Sequence, residues 1–421
     1  MRSLVTNKRD GLIEFARRVP KAVGKRFRKA KFILKYKSAQ RMPLNDSLIV
    51  IESEGDLSDN AFALYDYLRD KGYLDRYQVV WAVDDVLRAK QLASEAPGQW
   101  TNTFFVSKAL DAYDQKLAFA LATCKWFIYD HSNLMANLTK RPNQSVVFLS
   151  HGCGYKGPKG LGSHDTTSYD LMTVTGPLAA ICVSNWQNRS PEFAVCTGYP
   201  RNDYLLRSDL MVDSVIADWL DCSRFRKTIL WMPTFRQSDN AGISEDYIRN
   251  ETGLPLFNSR IDLSRLSDYL VRNNVLLLFK LHHLQSELPV FNEKFKKFEI
   301  IRDEQLRDRG IQLYQFVRYS DALISDYSSI SVDFMLLDRP IIYTLDDYDD
   351  YSRSRGLFPP NAIDYMPGYH VYSIDQLENA IDEILAGEDI YRSDREAIIS
   401  EYHTYRDANS SKRVLDVCGI S

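Results

Sequence analysis

The sequence predicts an α/β protein made of two successive open domains, each built on a parallel sheet. Three observations lead there. The 421 residues exceed one typical domain and suit two. An apolar share of 45% beside 26% charged residues is ordinary globular composition. Short β-branched and aromatic runs alternate with helical stretches along most of the chain, as parallel strands joined by crossover helices require.

The chain opens on a basic segment. Residues 1–41 hold fourteen Lys or Arg and two acids, so they stand at +12 and the remainder at −15. Leu12, Ile13, Phe15, Val19, Val23, Phe27, Phe32 and Leu34 are interspersed, and Pro20 interrupts them. Two short basic amphipathic helices lying on anionic lipid are expected of residues 1–43. A flexible basic tail and a nucleic-acid arm are the alternatives, but no nucleic-acid motif follows and none is expected as a partner. No run approaches the ~18 apolar residues of a membrane span. The start lacks an apolar signal-peptide core, so export is not expected. Six scattered cysteines fit neither a zinc site nor a disulfide framework and point to a reducing compartment.

Strands are then expected at 47–51, 77–83, 103–106, 125–129 and 145–150, with helices at 57–71 and 109–122 between some of them. A second series starts at Lys227-Thr-Ile-Leu-Trp-Met. It continues through a helix at 262–272 and strands at 274–280, 299–301, 322–324 and 340–343. Helices near 375–386 and 391–404 close it, leaving 406–421 as a tail. The seam is placed near 205–226, where Arg, Ser, Asp and Cys break the strand pattern. Two such domains imply a cleft between the carboxyl ends of two sheets, where ligands bind.

The chemistry-bearing motifs all follow expected strands. Ile324-Ser325-Asp326-Tyr327-Ser328-Ser329 reads as strand, polar turn and helix start. It offers hydroxyls and unpaired backbone N–H groups to an anion, the alternative being that the serines only cap a helix. Ser150-His151-Gly152-Cys153-Gly154-Tyr155-Lys156 puts a general-base candidate in a Gly-x-Gly loop that can approach a ligand closely. In Gly198-Tyr-Pro-Arg201-Asn-Asp203 the structural alternative is an Arg201–Asp203 pair. Pro233-Thr-Phe-Arg236 offers a guanidinium fork for a phosphate. Lys280-Leu-His282-His283 ends an apolar strand, with Lys280 and His282 on one face; adjacent histidines pointing apart make a poor zinc site. Asp346-Asp347 and Asp349-Asp350 read as a solvated acidic loop. A base, fixed cations and an anion turn suit phosphoryl transfer. No Walker loop or kinase signature is present.

In this order the motifs resemble the CDP-glycerol glycerophosphotransferase family of teichoic acid and capsule synthesis, over roughly 145–370. Asp333-Phe, Asp338-Arg-Pro-Ile-Ile-Tyr and Arg355-Gly356 extend the likeness. The resemblance implies a GT-B-like fold of two Rossmann-like domains, with 44–215 binding the acceptor and 216–405 a CDP-linked alditol phosphate donor. It implies a lipid-linked saccharide or growing polymer as acceptor, and a cytoplasmic place on the inner face of the membrane. His151 would be the acceptor-side base and His282 would touch the donor phosphates. Arg236, Lys280, Ser328, Ser329 and Arg355 would hold the pyrophosphate. Gly152, Gly154, Lys156, Arg201, Asp203 and Asp326 would line the cleft. No cofactor or metal ligand is assigned, although a divalent cation is compatible with the scheme.

Two motifs depart from the family pattern. Where the family has Trp-His-Gly-Thr-Pro-x-Lys, Ser150 precedes the histidine and Cys153-Gly154 replace Thr-Pro. The family's Lys-Leu-His-Pro is here Lys-Leu-His-His. A GT-B glycosyltransferase using a nucleotide sugar, and a non-catalytic scaffold of a polymer-export complex, are the rival readings.

Overall fold

The computed structural model describes residues 24–109, 113–157, 169–234, 250–281 and 283–421. The chain divides into two compact units. One holds the described residues up to Leu149, with 169–170. The other holds 150–157 and everything described from Leu171 onward.

The first unit has five parallel strands: β1 (Asn45–Glu52), β2 (Gln78–Val83), β3 (Thr103–Ser107), β4 (Cys124–Tyr129) and β5 (Ser145–Phe148). Their order is β3-β2-β1-β4-β5. Ile49, Val50 and Ile51 of β1 are fully buried, as a strand with both faces covered must be. Helices α1 (24–39), α2 (Asp59–Asp70), α3 (Val86–Glu95) and α4 (Gln115–Thr123) accompany them. Basic residues 24–39 therefore form a single helix. Phe32, Tyr36 and Ala39 are buried on one face, and the Tyr36 hydroxyl donates to the Thr139 carbonyl at 2.9 Å. Phe32 thus packs inside the unit and is withdrawn from any surface role. Residues 1–23 lie outside the described part.

In the second unit, β6 (Leu171–Val174) and β7 (Ala194–Cys196) pair in parallel. A further sheet joins β8 (Lys227–Trp231), β9 (Val275–Phe279), β10 (Phe298–Ile300), β11 (Ala322–Ser325), β12 (Ile341–Thr344) and β13 (Tyr369–Val371). Its order is β10-β9-β8-β11-β12-β13. The longer helices are α5 (Pro177–Gln187), α6 (Leu210–Leu220), α7 (Arg260–Asn273), α8 (Ser329–Phe334), α9 (Tyr348–Ser354), α10 (Ile374–Ala386), α11 (Arg392–Tyr402) and α12 (Ser410–Cys418). Trp231, Phe279, Leu277, Ile324 and Leu270 centre the core of this sheet.

The compact units part at Leu149, while the strand series passes to the sheet of β8–β13 between β7 and β8, on either side of the expected seam at 205–226. Gly176, which opens α5, lies so close to the end of α11 that an added Cβ would sit 2.6 Å from the Tyr402 carbonyl carbon. The strands and helices after residue 170 therefore pack with the chain's last helices. Residues 406–421, expected as a tail, carry a packed helix. Asp203 accepts hydrogen bonds from the Ser410 and Ser411 N–H groups at 2.8 and 2.9 Å, and α12 buries Val414 and Leu415.

Candidate active site

The second unit's sheet turns back between β8 and β11, and the motif expected to bind an anion stands there. Asp326, fully buried just after β11, accepts from the Thr234 N–H at 2.8 Å and from its hydroxyl at 2.6 Å. That carboxylate ties together the two strand ends and is a structural clasp. Tyr327 stacks on Tyr351 at 4.0 Å and donates to Asp347 at 2.9 Å. Ser328 then enters α8 through extended backbone, but its hydroxyl makes no capping bond. The serines are half-buried, and the first turn of α8 presents backbone N–H groups beside them.

The His151 loop lies directly against this turn. A Cβ on Gly154 would come within 2.7 Å of the Ser329 nitrogen and 2.8 Å of the Tyr327 oxygen. Gly152, at φ +106°, is as tightly held: a Cβ there would sit 2.5 Å from an Arg201 nitrogen and 3.1 Å from the Ser329 Cβ. The two glycines are what permits this approach. The Tyr155 N–H donates to Tyr327 O at 3.2 Å. Beyond it, the Gly157 N–H donates to Gly356 O at 2.8 Å and the Phe358 N–H to Tyr155 O at 3.0 Å. These bonds bring Arg355 next to the loop, with a buried Nη1 that has no hydrogen-bond partner among the described residues. The Trp186 Nε1–H donates to the Lys156 carbonyl at 2.9 Å, so α5 supports the loop from another side.

Arg201 locks the assembly. Its Nη2 donates to the His151 carbonyl and to Asp333 Oδ2, each at 2.9 Å, and its guanidinium lies over the Tyr314 ring at 4.6 Å. Asp333, on α8, also accepts from Asn202 at 3.1 Å and from the Tyr314 hydroxyl at 2.5 Å. The partner of Arg201 is thus Asp333 and not Asp203, whose carboxylate is spent on α12. Burial pushes the Asp203 carboxyl above its usual range, against the pull of those N–H donors. Taking one partner from a buried pair of the Arg201–Asp333 kind costs about 3–5 kcal/mol. The backbone of the base candidate is therefore held by a strong contact to α8.

The remaining candidates fall elsewhere. Lys280, nearly buried, pairs with Asp303 at 3.0 Å. Arg236 and His282 lie outside the described residues. The acidic stretch is not uniformly solvated: Asp347 is buried under the Tyr327 hydroxyl, and Asp346 accepts from the Leu256 N–H at 3.0 Å. Asp349 and Asp350 are exposed in the first turn of α9. All six cysteines are free thiols. Contact with the Cys182 thiol and burial push the Cys153 thiol up, so it is a packed neutral group and no nucleophile. Sequence reasoning missed Tyr314 and Asn202, and gave Asp333 no role. A buried aspartate one helical turn after Ser329 was the available signal.

Residues 34–418 match the family profile of CDP-Glycerol:Poly(glycerophosphate) glycerophosphotransferase. The teichoic acid poly(glycerol phosphate) polymerase of Bacillus spizizenii is 26% identical over 424 residues, covering 92% of this chain and 99% of that protein. The ribitol-phosphate polymerase TarK of Staphylococcus aureus is 26% identical over 303 residues, covering 69% of this chain. The chain spans about half of TarK's length, 55%. Among solved structures, the wall teichoic acid polymerase TagF matches with a TM-score of 0.72 at 19% identity, covering 99% of this chain and 97% of that one. That likeness establishes the GT-B-like fold of parallel-sheet α/β units. The profile match over nearly the whole length settles the kinship: this chain belongs to the CDP-glycerol:poly(glycerophosphate) glycerophosphotransferase family.

Proposed function

We propose that the chain transfers glycerol phosphate, or a related alditol phosphate, from a CDP-linked donor to a hydroxyl of a lipid-linked saccharide or growing cell-surface polymer. The single observation that carries the reading is the glycine-mediated contact of the His151 loop with the Ser328–Ser329 turn. It sets a base candidate beside an anion-binding turn, the pairing that phosphoryl transfer to a hydroxyl needs. In this scheme His151 takes the acceptor's proton as its oxygen attacks the donor's β-phosphorus, and CMP leaves with the electrons of the broken P–O bond. Ser328, Ser329 and the start of α8 hold phosphate oxygens, with Arg355 as the nearby cation. The relatives' names, with their glycerol- and ribitol-phosphate polymerases, support the donor class.

The test is nucleotide release by the purified chain given CDP-glycerol, CDP-ribitol and a panel of UDP- and CMP-sugars with a lipid-linked acceptor. CMP from a CDP-alditol is the expected product. Turnover of a nucleotide sugar alone would favour the glycosyltransferase reading, and no turnover of any donor the scaffold.

Peripheral attachment to the inner face of the cell membrane belongs to the same proposal. Among the described residues no helix is long and apolar enough to cross a membrane. On α1, however, Phe27 and Leu34 are 61% and 67% exposed amid exposed Lys and Arg side chains. Such a face suits anionic lipid, each basic residue contributing up to about 1 kcal/mol. The chain should sediment with phosphatidylglycerol vesicles and less so after Phe27→Ser with Leu34→Ser. Equal sedimentation with neutral vesicles would contradict a charge-driven surface.

A further inference from the structure

The first unit's sheet turns back at the same point as the second's. β1, β2 and β3 step outward in one direction, and β4 returns to the other side of β1. Open α/β sheets take ligands outside the carboxyl ends of the strands that flank such a turn. In the second unit this rule finds Asp326 and the Ser328–Ser329 turn. In the first it finds Glu52 at the end of β1 and Asp130-His131 just after β4, residues with no part in the chemistry above.

These residues form an organised framework. Glu52 is fully buried, with Oε1 accepting from Lys108 Nζ at 2.9 Å and Oε2 from the Ser132 N–H at 2.7 Å. Burial opposes its charge, but His131, Lys108 and the Ser132 N–H outweigh burial and hold the carboxyl below its usual range. Asp130, also buried, accepts from the Glu54 N–H at 3.0 Å and the Ala61 N–H at 2.8 Å, fixing the backbone on both sides of the turn. The outward member is His131, whose side chain is 46% exposed. Its Nδ1 lies 3.0 Å from the Ser132 hydroxyl and 3.8 Å from Glu52 Oε1. A buried ion pair adds little stability over a well-packed apolar pair. Here it sets a buried charge pair beneath one half-exposed imidazole at the carboxyl edge of the sheet.

The charge around that ring sets the ligand class. Glu54 and Asp84 are exposed nearby, and Asp56 lies 3.4 Å from Lys108 Nζ. Carboxylates outnumber the Lys108 ammonium, which favours the hydroxyls of a ligand over its phosphates. Carboxylates and an imidazole pair well with hydroxyl protons. We propose that this carboxyl edge of β1 and β4 is a polyol subsite for the acceptor, with His131 touching an acceptor hydroxyl and Glu52 and Lys108 positioning the imidazole. The word acceptor rests on the transferase reading; the polyol site does not.

Two measurements on the full chain decide it. With an alkyl-linked glycerol phosphate as acceptor probe, His131→Ala should raise the acceptor KM tenfold or more. It should move the Kd for CDP-glycerol less than twofold, and His131→Gln, which keeps a hydrogen-bonding side chain, should recover part of the loss. Glu52→Gln should act in the same direction as His131→Ala. An unchanged acceptor KM in folded His131→Ala, or an equal rise in donor Kd, would overturn the proposal. Glycerol is then titrated while the His131 ring resonance, assigned with His131→Gln, is followed by NMR. A saturable shift supports the subsite; no shift, or a shift with magnesium chloride and none with glycerol, refutes it. If the parent chain releases no CMP from CDP-glycerol, the transferase reading fails, yet the titration still decides the polyol site.

Discussion

At Gly154 one hydrogen atom sets how closely two loops meet. The atoms facing it, the Ser329 nitrogen and the Tyr327 oxygen, are backbone and cannot swing aside. Overpacking of this sort costs about 1–3 kcal/mol. Gly154→Ala is therefore expected to cut CMP release tenfold or more with only a modest loss of thermal stability, measured side by side. An unaltered rate would show that the contact is dispensable. His151, Gly154, Ser328 and Ser329 stood out in the sequence as candidates because their residue types suit the proposed chemistry, and the structure brings the two loops into contact. The Arg201 partner was not legible: Asp333 lies 132 residues away, while Asp203 lies two, and only the fold decides between them.

The elements were readable where burial dictates composition. β1, β8, β9 and β11 are near-continuous apolar runs, and each stands within a residue or two of its expected place. β6, β13, α5 and α12 were missed, being short or carrying a weak periodic signal. α12 also depends on a distant cap from Asp203. α8 has a comparable long-range support. The fully buried His403 imidazole hydrogen-bonds the Val332 carbonyl at 2.9 Å, with the ring N–H as donor. Burial holds its pKa below the usual value, with Asp333 pulling the other way and Arg406 adding to the depression. The folded state thus refuses a proton that the unfolded chain accepts near pH 6.5. Stability from this group is complete above about pH 6.5 and is lost as pH falls toward the depressed folded value. Its slope is at most about 1.4 kcal/mol per pH unit. Denaturant titrations between pH 5 and 7.5 should show a shallower acid loss in His403→Gln than in the parent. Parallel curves would mean that His403 does not titrate on unfolding.

On the scale of the whole molecule, the chain uses one strand order twice: β3-β2-β1-β4-β5 and β10-β9-β8-β11-β12. The alternation of apolar runs and helices revealed the α/β class. The packing of α5 against α11 was not legible, because it is a property of the tertiary fold. That packing accompanies a shared compact unit for the His151 loop and the Ser328–Ser329 turn, and the proposed transfer depends on their joint action. The most direct test is CMP release from CDP-glycerol by His151→Ala, measured beside its affinity for CDP-glycerol. Transfer should fall at least a thousandfold, with donor affinity within a few-fold of the parent. Near-normal turnover in that variant would contradict the proposed role of His151.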